Sequence, residues 1–306
     1  MEQLNVRSPG RRLCTAGSGV LCKACPRATP CVGTRRCSVG ASVILLVGYP
    51  VPSFQNVGVR LHYEVSGEGR PVVFLHGGTV NFQANYAAFG WPEELVGRGY
   101  QVVGLDFRGH GQSDKLHDAG AYGTANVAGD VTALLDHLGL DRVDLVAYSI
   151  GTAMALHLLQ TVPMRINRVA LIATGDGLIG LPPHEFSRIL PALAAVVARS
   201  EYPKDLPRHV ATYWNFIEAT GGDRVALKAF AEARYPPLSV AESQRITHPV
   251  LVVSGENDLV LGRGSRLAGA LGDAKYLEVV GADHFSLAAD DSVRAAVASF
   301  ISAQDH

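Results

Sequence analysis

From Pro52 onward, short runs dense in Val, Leu and Ile alternate with longer segments whose apolar residues recur at helical spacing. Runs at 59–65, 71–75, 101–106, 143–148, 168–174, 249–254 and 275–280 are predicted strands, and most are almost purely apolar. A strand apolar on both sides is buried on both sides, as in a parallel sheet covered by helices. Between the strands, 126–138 places Val127, Val131, Leu134, Leu135 and Leu138 on one helical face, and 152–161 continues an Ala- and Leu-rich helix. The alternation predicts an α/β fold: a mostly parallel central sheet of about eight strands flanked by crossover helices.

The pattern breaks over 175–247. Amphipathic helical stretches at 206–220 and 223–233 appear there without a convincing strand, and Pro182-Pro183 and Pro236-Pro237 punctuate the ends. This interval is predicted to be a helical cap inserted into a core domain spanning 52–306. The first 51 residues stand apart: they hold all five cysteines (Cys14, Cys22, Cys25, Cys31 and Cys37) together with Arg7, Arg11, Arg12, Arg35 and Arg36. Cys22-x-x-Cys25 lacks the second close pair of a strong zinc signature, so the segment reads as a disordered leader and no metal site is expected.

A chain of 306 residues with 47% hydrophobic content can bury one sizeable core. Its net charge of -1 gives no long-range attraction for nucleic acid or an anionic membrane. The longest notable apolar run, 41–48, is far too short to span a bilayer. A soluble, cytoplasmic protein acting on a small-molecule substrate is expected, with homo-oligomerisation left open.

The densest chemical signal is Val143-Asp-Leu-Val-Ala-Tyr-Ser149-Ile-Gly151, an apolar strand that runs straight into a helix at a serine. A strand that turns at once into a helix strains its corner residue and thrusts that side chain outward. Small residues two positions away on each side, here Ala147 and Gly151, let the turn close. The helix start also turns backbone N–H groups, beginning with Ile150, toward any negative charge that develops nearby. Serine needs a base to take its proton. His284 answers best, since it follows the last predicted strand in Val279-Val-Gly-Ala-Asp-His284-Phe, at the carboxyl end where open α/β sheets gather their sites. Asp258, in Gly255-Glu-Asn-Asp258 just beyond the preceding strand, is the expected partner that orients the imidazole. Glu256, Asp283 and, after an earlier strand, Asp176 are its competitors. Gly78, in Val72-Val-Phe-Leu-His76-Gly77-Gly78-Thr79, is expected to offer a second oxyanion N–H beside that of Ile150, while His76 is structural.

These residues resemble the α/β-hydrolase superfamily over nearly all of 53–300. The resemblance is carried by His76-Gly77-Gly78, Ala147-x-Ser149-x-Gly151, Gly255-x-x-Asp258, Asp283-His284 and the turn Asp106-Phe-Arg-Gly-His-Gly-Gln-Ser-Asp114. It implies a catalytic triad Ser149, Asp258 and His284 in that chain order, no organic cofactor, and a structural role for Asp106, Arg108 and His110. Ala147 departs from the usual glycine by one methyl group. Epoxide hydrolases and haloalkane dehalogenases of the superfamily place an aspartate at the Ser149 position. Cofactor-free haloperoxidases and perhydrolases commonly carry a proline shortly after His-Gly, where this chain has Thr79. What remains is an esterase or lactonase working through an acyl-enzyme. A carbon–carbon bond hydrolase on the same triad and a non-catalytic binding protein of the same fold are the alternatives. Aromatics of the insertion, among them Phe186, Tyr202, Tyr213, Phe230 and Tyr235, offer an apolar acyl pocket or helix packing. Trp214, Phe216 and Phe285 are the expected substrate contacts.

Overall fold

The structure, a computed structural model, describes residues 51–180 and 186–303, with backbone alone for 186–189. The cysteine-bearing leader up to residue 50, Pro182-Pro183 and the side chain of Phe186 lie outside the described residues.

The chain enters through a hairpin of β1 (Ser53–Asn56) and β2 (Val59–Ser66), whose register pairs Asn56 with Val59. The two residues between them, Val57 and Gly58, both adopt positive φ (47° and 76°), the geometry that matches the twist of a tight hairpin. β1 is the strand that sequence patterning misses, because only Phe54 of its four residues is buried. There follow β3 (Arg70–Leu75), α1 (Phe82–Asn85), α2 (Trp91–Val96), β4 (Tyr100–Leu105), α3 (Thr124–His137), β5 (Val143–Tyr148), α4 (Ile150–Thr161) and β6 (Ile166–Ile172). Helices α5 (Phe186–Val197), α6 (Arg208–Thr220), α7 (Arg224–Glu232) and α8 (Val240–Ser243) precede β7 (Pro249–Gly255). The described chain ends with α9 (Ser265–Ala270), β8 (Asp273–Val279) and α10 (Asp291–Ile301).

Among the described residues the eight strands form one sheet in the order β1-β2-β4-β3-β5-β6-β7-β8. β1, β2 and β4 pair antiparallel, and every pair from β4 through β3 to β8 is parallel. Alternate residues of each central strand serve opposite faces. Val72 and Phe74 join Val102, Val146 and Ile172 under α1, α2 and α10, with Trp91, Leu95, Val293 and Val297 closing that layer. Val73 and Leu75 join Val103, Leu105, Leu145 and Leu171 under α3 and α4, with Val131, Leu134 and Met154 against them. The strand order reverses at β3: the chain steps to β4 on one side and then to β5 on the other. The carboxyl ends of β3 and β5 therefore open a crevice at a switch point, where such sheets hold ligands.

The helices between β6 and β7 build a separate apolar cluster. Leu193, Val196 and Val197 of α5 meet Val210, Trp214 and Ile217 of α6 and Leu227 of α7. Among the described helices none is long and apolar enough to cross a membrane.

Candidate active site

Ser149 sits between β5 and α4 with φ 52° and ψ −120°, a backbone conformation costly for a non-glycine residue. Backbone contacts on both sides hold the corner, joined by the Thr152 hydroxyl, which also donates to the Ser149 carbonyl. The Ser149 N–H donates to the Ile172 carbonyl at 2.9 Å, and its carbonyl accepts from the Thr152 N–H at 2.9 Å. Gly151 is where the first turn of α4 crosses the end of β3. A Cβ there would stand 2.5 Å from the Leu75 carbonyl oxygen and 2.9 Å from that of His76. Ala147, by contrast, keeps its methyl group in the core on the α3/α4 face.

The structure brings the three predicted residues together. Ser149 Oγ lies 2.9 Å from His284 Nε2, and His284 Nδ1 lies 2.8 Å from Asp258 Oδ2. The second carboxylate oxygen of Asp258 accepts from the Val260 and Leu261 N–H groups at 2.8 and 2.9 Å. Burial alone would raise the Asp258 pKa, but the His284 imidazole and these two amides outweigh it and hold the carboxyl below its usual range. With Asp258 ionised, Nδ1 of His284 carries its proton, leaving Nε2 free to accept from Ser149. The Tyr148 hydroxyl donates to the His284 carbonyl at 2.6 Å, tying the histidine loop to the strand that carries the serine.

The competing carboxylates are engaged elsewhere. Asp176 Oδ1 caps the start of α9 by accepting from the Arg266 and Leu267 N–H groups at 3.0 and 2.9 Å. Glu256 accepts from the Gly281 N–H, and Asp283 Oδ1 from those of Phe285 and Ser286. His76 is buried with both ring nitrogens used: Nδ1 donates to the Gly77 carbonyl at 2.7 Å and Nε2 accepts from the Phe107 N–H at 3.0 Å. Asp106 accepts from the Phe82 and Gln112 N–H groups, and Arg108 grips Asp130 through two 2.7 Å bonds. These groups fix the loop after β4 and stand outside the serine–histidine relay.

The loop after β3 is held from α1, where Asn85 Oδ1 accepts from the Gly77 N–H at 2.7 Å. Thr79, next to Gly78, is buried at φ 66°, strained for a β-branched residue. No turn, loop or side-chain hydrogen bond takes the N–H of Gly78 or of Ile150. Both remain uncommitted donors beside the serine.

A cavity of about 60 Å³ opens onto Ser149 and His284. Gly78, Val80, Asn85 and Phe89 line it together with Tyr148, Tyr213, Phe216 and Phe285. Phe216 and Phe285 thus stand where a substrate contact is expected, their rings 5.5 Å apart. Trp214 is not among the lining residues: its ring packs in the α5–α7 cluster beneath the Arg224 guanidinium, 4.0 Å from the centroid. Sequence reasoning missed the wall from α1 and its flanks, whose available signal was closeness in sequence to the His76-Gly77-Gly78 loop. Among the described residues no group of three or more His, Cys, Asp or Glu is placed to hold a metal ion.

A family model described as alpha/beta hydrolase fold matches residues 70–216. The chain is 40% identical over 97 residues, 31% of its length, to the non-heme chloroperoxidase CPO-A1 of Kitasatospora aureofaciens, covering 32% of that protein. It is 33% identical over 129 residues, 40% of its length, to a 2-hydroxy-6-oxononadienedioate/2-hydroxy-6-oxononatrienedioate hydrolase of Dechloromonas aromatica, covering 42% of that protein. The chain spans about a third of the length of the first curated relatives it matches. Among solved structures it is similar to Est816, described as an N-acyl homoserine lactone degrading enzyme. The TM-score is 0.62 with 26% identity, over 81% of this chain and 100% of that one.

Proposed function

Because the chain belongs to the α/β-hydrolase superfamily, we propose that it is a serine hydrolase that cleaves a small-molecule carboxylic ester or lactone through an acyl-enzyme. The observation that carries this reading is the continuous relay from Ser149 Oγ through His284 to Asp258, at 2.9 and 2.8 Å, beside two uncommitted N–H groups. Ser149 attacks the carbonyl carbon while His284 Nε2 takes the hydroxyl proton. The carbonyl oxygen becomes an oxyanion between the N–H groups of Gly78 and Ile150, each such donor worth on the order of 3 kcal/mol. Collapse expels the alkoxide, which leaves with the proton from His284. Water then gives its proton to His284, attacks the acyl-enzyme and frees the acid, restoring Ser149. Asp258 stays ionised throughout and stabilises the imidazolium. Helices α5 to α7 act as a cap, supplying Tyr213 and Phe216 to the cavity and excluding water.

A second reading, carbon–carbon bond hydrolysis, is favoured by the similarity to the oxononadienedioate hydrolase. Against it, a dioate brings two carboxylates, and the described residues lining the Ser149 cavity include neither Lys nor Arg, although Arg208 lines the neighbouring cavity that shares His284 and Phe285. The test is fluorophosphonate labelling of the full chain beside hydrolysis of a graded series of aryl esters and lactones. Labelling and turnover are expected in the native protein. Ser149→Ala should lose both, with a drop of at least about 10⁴-fold and an unchanged melting curve. A native protein that neither labels nor cleaves any ester or lactone would overturn the reading.

A further inference from the structure

Six tyrosines are buried among the described residues: Tyr86, Tyr100, Tyr122, Tyr148, Tyr213 and Tyr235. Five of them give their hydroxyl to a backbone carbonyl, those of Leu75, Ile301, Leu116, His284 and Phe230 respectively. Tyr213 alone does not. It is only 5% exposed, yet among the described residues its hydroxyl has no hydrogen-bond partner, and the oxygen keeps accessible surface. A buried phenol normally finds an acceptor, because leaving its O–H unpaired forfeits the hydration it gave up on folding.

Tyr213 is a wall of the cavity that opens on Ser149, and its ring meets that of Phe285 edge-on at 5.3 Å. Packing of the Tyr213 ring from α6 onto the His284 loop therefore leaves the ring little freedom. Burial raises its pKa, and the nearby Asp258 charge raises it further, so the hydroxyl stays protonated and acts as a donor. A rigid, protonated donor at the wall of a compact cavity is complementary to an acceptor atom on the ligand.

Resting on the hydrolase reading above, we infer that the Tyr213 hydroxyl donates to an oxygen borne by the acyl part of the substrate, next to the reacting carbonyl. The site then favours compact esters or lactones that are oxygen-substituted beside that carbonyl over hydrocarbon analogues of the same shape.

Two esters of equal size test this: para-nitrophenyl methoxyacetate and para-nitrophenyl butanoate, in which an ether oxygen replaces a methylene. Each kcat/KM is divided by the rate of the same ester with hydroxide, which removes the intrinsic activation by the ether. The native protein is expected to prefer methoxyacetate by about 3- to 10-fold after this correction, the worth of one neutral hydrogen bond. Tyr213→Phe should bring the ratio close to about one by slowing methoxyacetate far more than butanoate. A corrected native ratio of about one overturns the inference without any variant. So does a Tyr213→Phe protein that slows both esters equally, which marks a structural side chain or one that only meets water. Fluorophosphonate labelling separates the two levels: a protein that labels at Ser149 but has no preference keeps the hydrolase reading and loses this one. A protein that neither labels nor turns over any ester loses both.

Discussion

At Gly151 the requirement for glycine comes from neighbouring backbone rather than from unusual torsion, since the residue is helical and yet two carbonyl oxygens of the β3 end lie within 3 Å of where a Cβ would be. Backbone oxygen cannot swing aside as a side chain can, so Gly151→Ala must push the first turn of α4 away from β3. That turn carries the Ile150 N–H and starts at Ser149. The expected outcome is a loss of about 1–3 kcal/mol in urea unfolding. Ester turnover should fall by about 100-fold, the scale of a 1 Å misplacement. A Gly151→Ala protein with native turnover would mean the site does not depend on this crossing. Ser149, Asp258 and His284 were legible in the sequence because each lies within a few residues of a strand's carboxyl end and the chain order restricts the partners. The aromatic wall was legible only in part. Tyr213, Trp214, Phe216 and Ile217 fall within a turn and a half of α6, and apolar residues on so many sides do not say which stripe faces the cavity. The fold sends Tyr213 and Phe216 there and turns Trp214 into the cluster under Arg224.

Central strands announce themselves by burial on both faces, which is why β3 to β7 read as apolar runs while the four-residue edge strand β1 does not. Helix α3 is read from its stripe: Val127, Val131, Leu134 and Leu135 are buried, and the opposite face is open. On that open face Gly129 is exposed inside the helix, with nothing within 4 Å of an added Cβ and no positive φ. Here glycine has only its entropic cost in a helix interior. Gly129→Ala is expected to stabilise the protein by about 0.5–1 kcal/mol without changing ester turnover, measured by urea unfolding and steady-state kinetics. The same substitution thus acts in opposite directions at Gly151 and Gly129, and space around the Cβ, not helical context, sets the sign. A destabilised Gly129→Ala would mean that α3 is constrained by something beyond its own residues. The short helices α1 and α2 escaped the sequence reading because α1 forms less as an amphipathic segment than as a clip. Asn81 caps it, Phe82 fills the core, and Asn85 reaches back to Gly77.

Acid response belongs to the whole molecule, because it sums groups buried at opposite ends of the sheet. Near the carboxyl ends, burial lowers the His76 pKa to about 4, and burial together with neighbouring His76 lowers His110 to about 3, against the pull of Asp106. Both are neutral when folded and free to protonate near pH 6.5 when unfolded. The unfolded chain then binds more protons as pH falls below 6.5, so stability is lost on acidification. At the amino ends, Asp144 of β5 behaves in the reverse sense. Burial raises its pKa to about 6, and the Arg70 guanidinium, with Nε 2.8 Å from Oδ2, offsets that rise only in part. The Arg168 N–H, 3.2 Å from Oδ1, recovers only part of the lost hydration. Folded Asp144 takes up its proton before the unfolded chain does, which offsets one histidine between roughly pH 6 and 4. At roughly 1.4 kcal/mol per pH unit for each proton, stability should fall by about 3 kcal/mol from pH 7 to pH 5. In Asp144→Asn the offset is gone, and the fall should steepen to about 4 kcal/mol over the same range. Urea unfolding of both proteins at three pH values measures the slopes. An unchanged slope in the variant would show that Asp144 stays ionised over this range, with the attraction of Arg70 outweighing its burial.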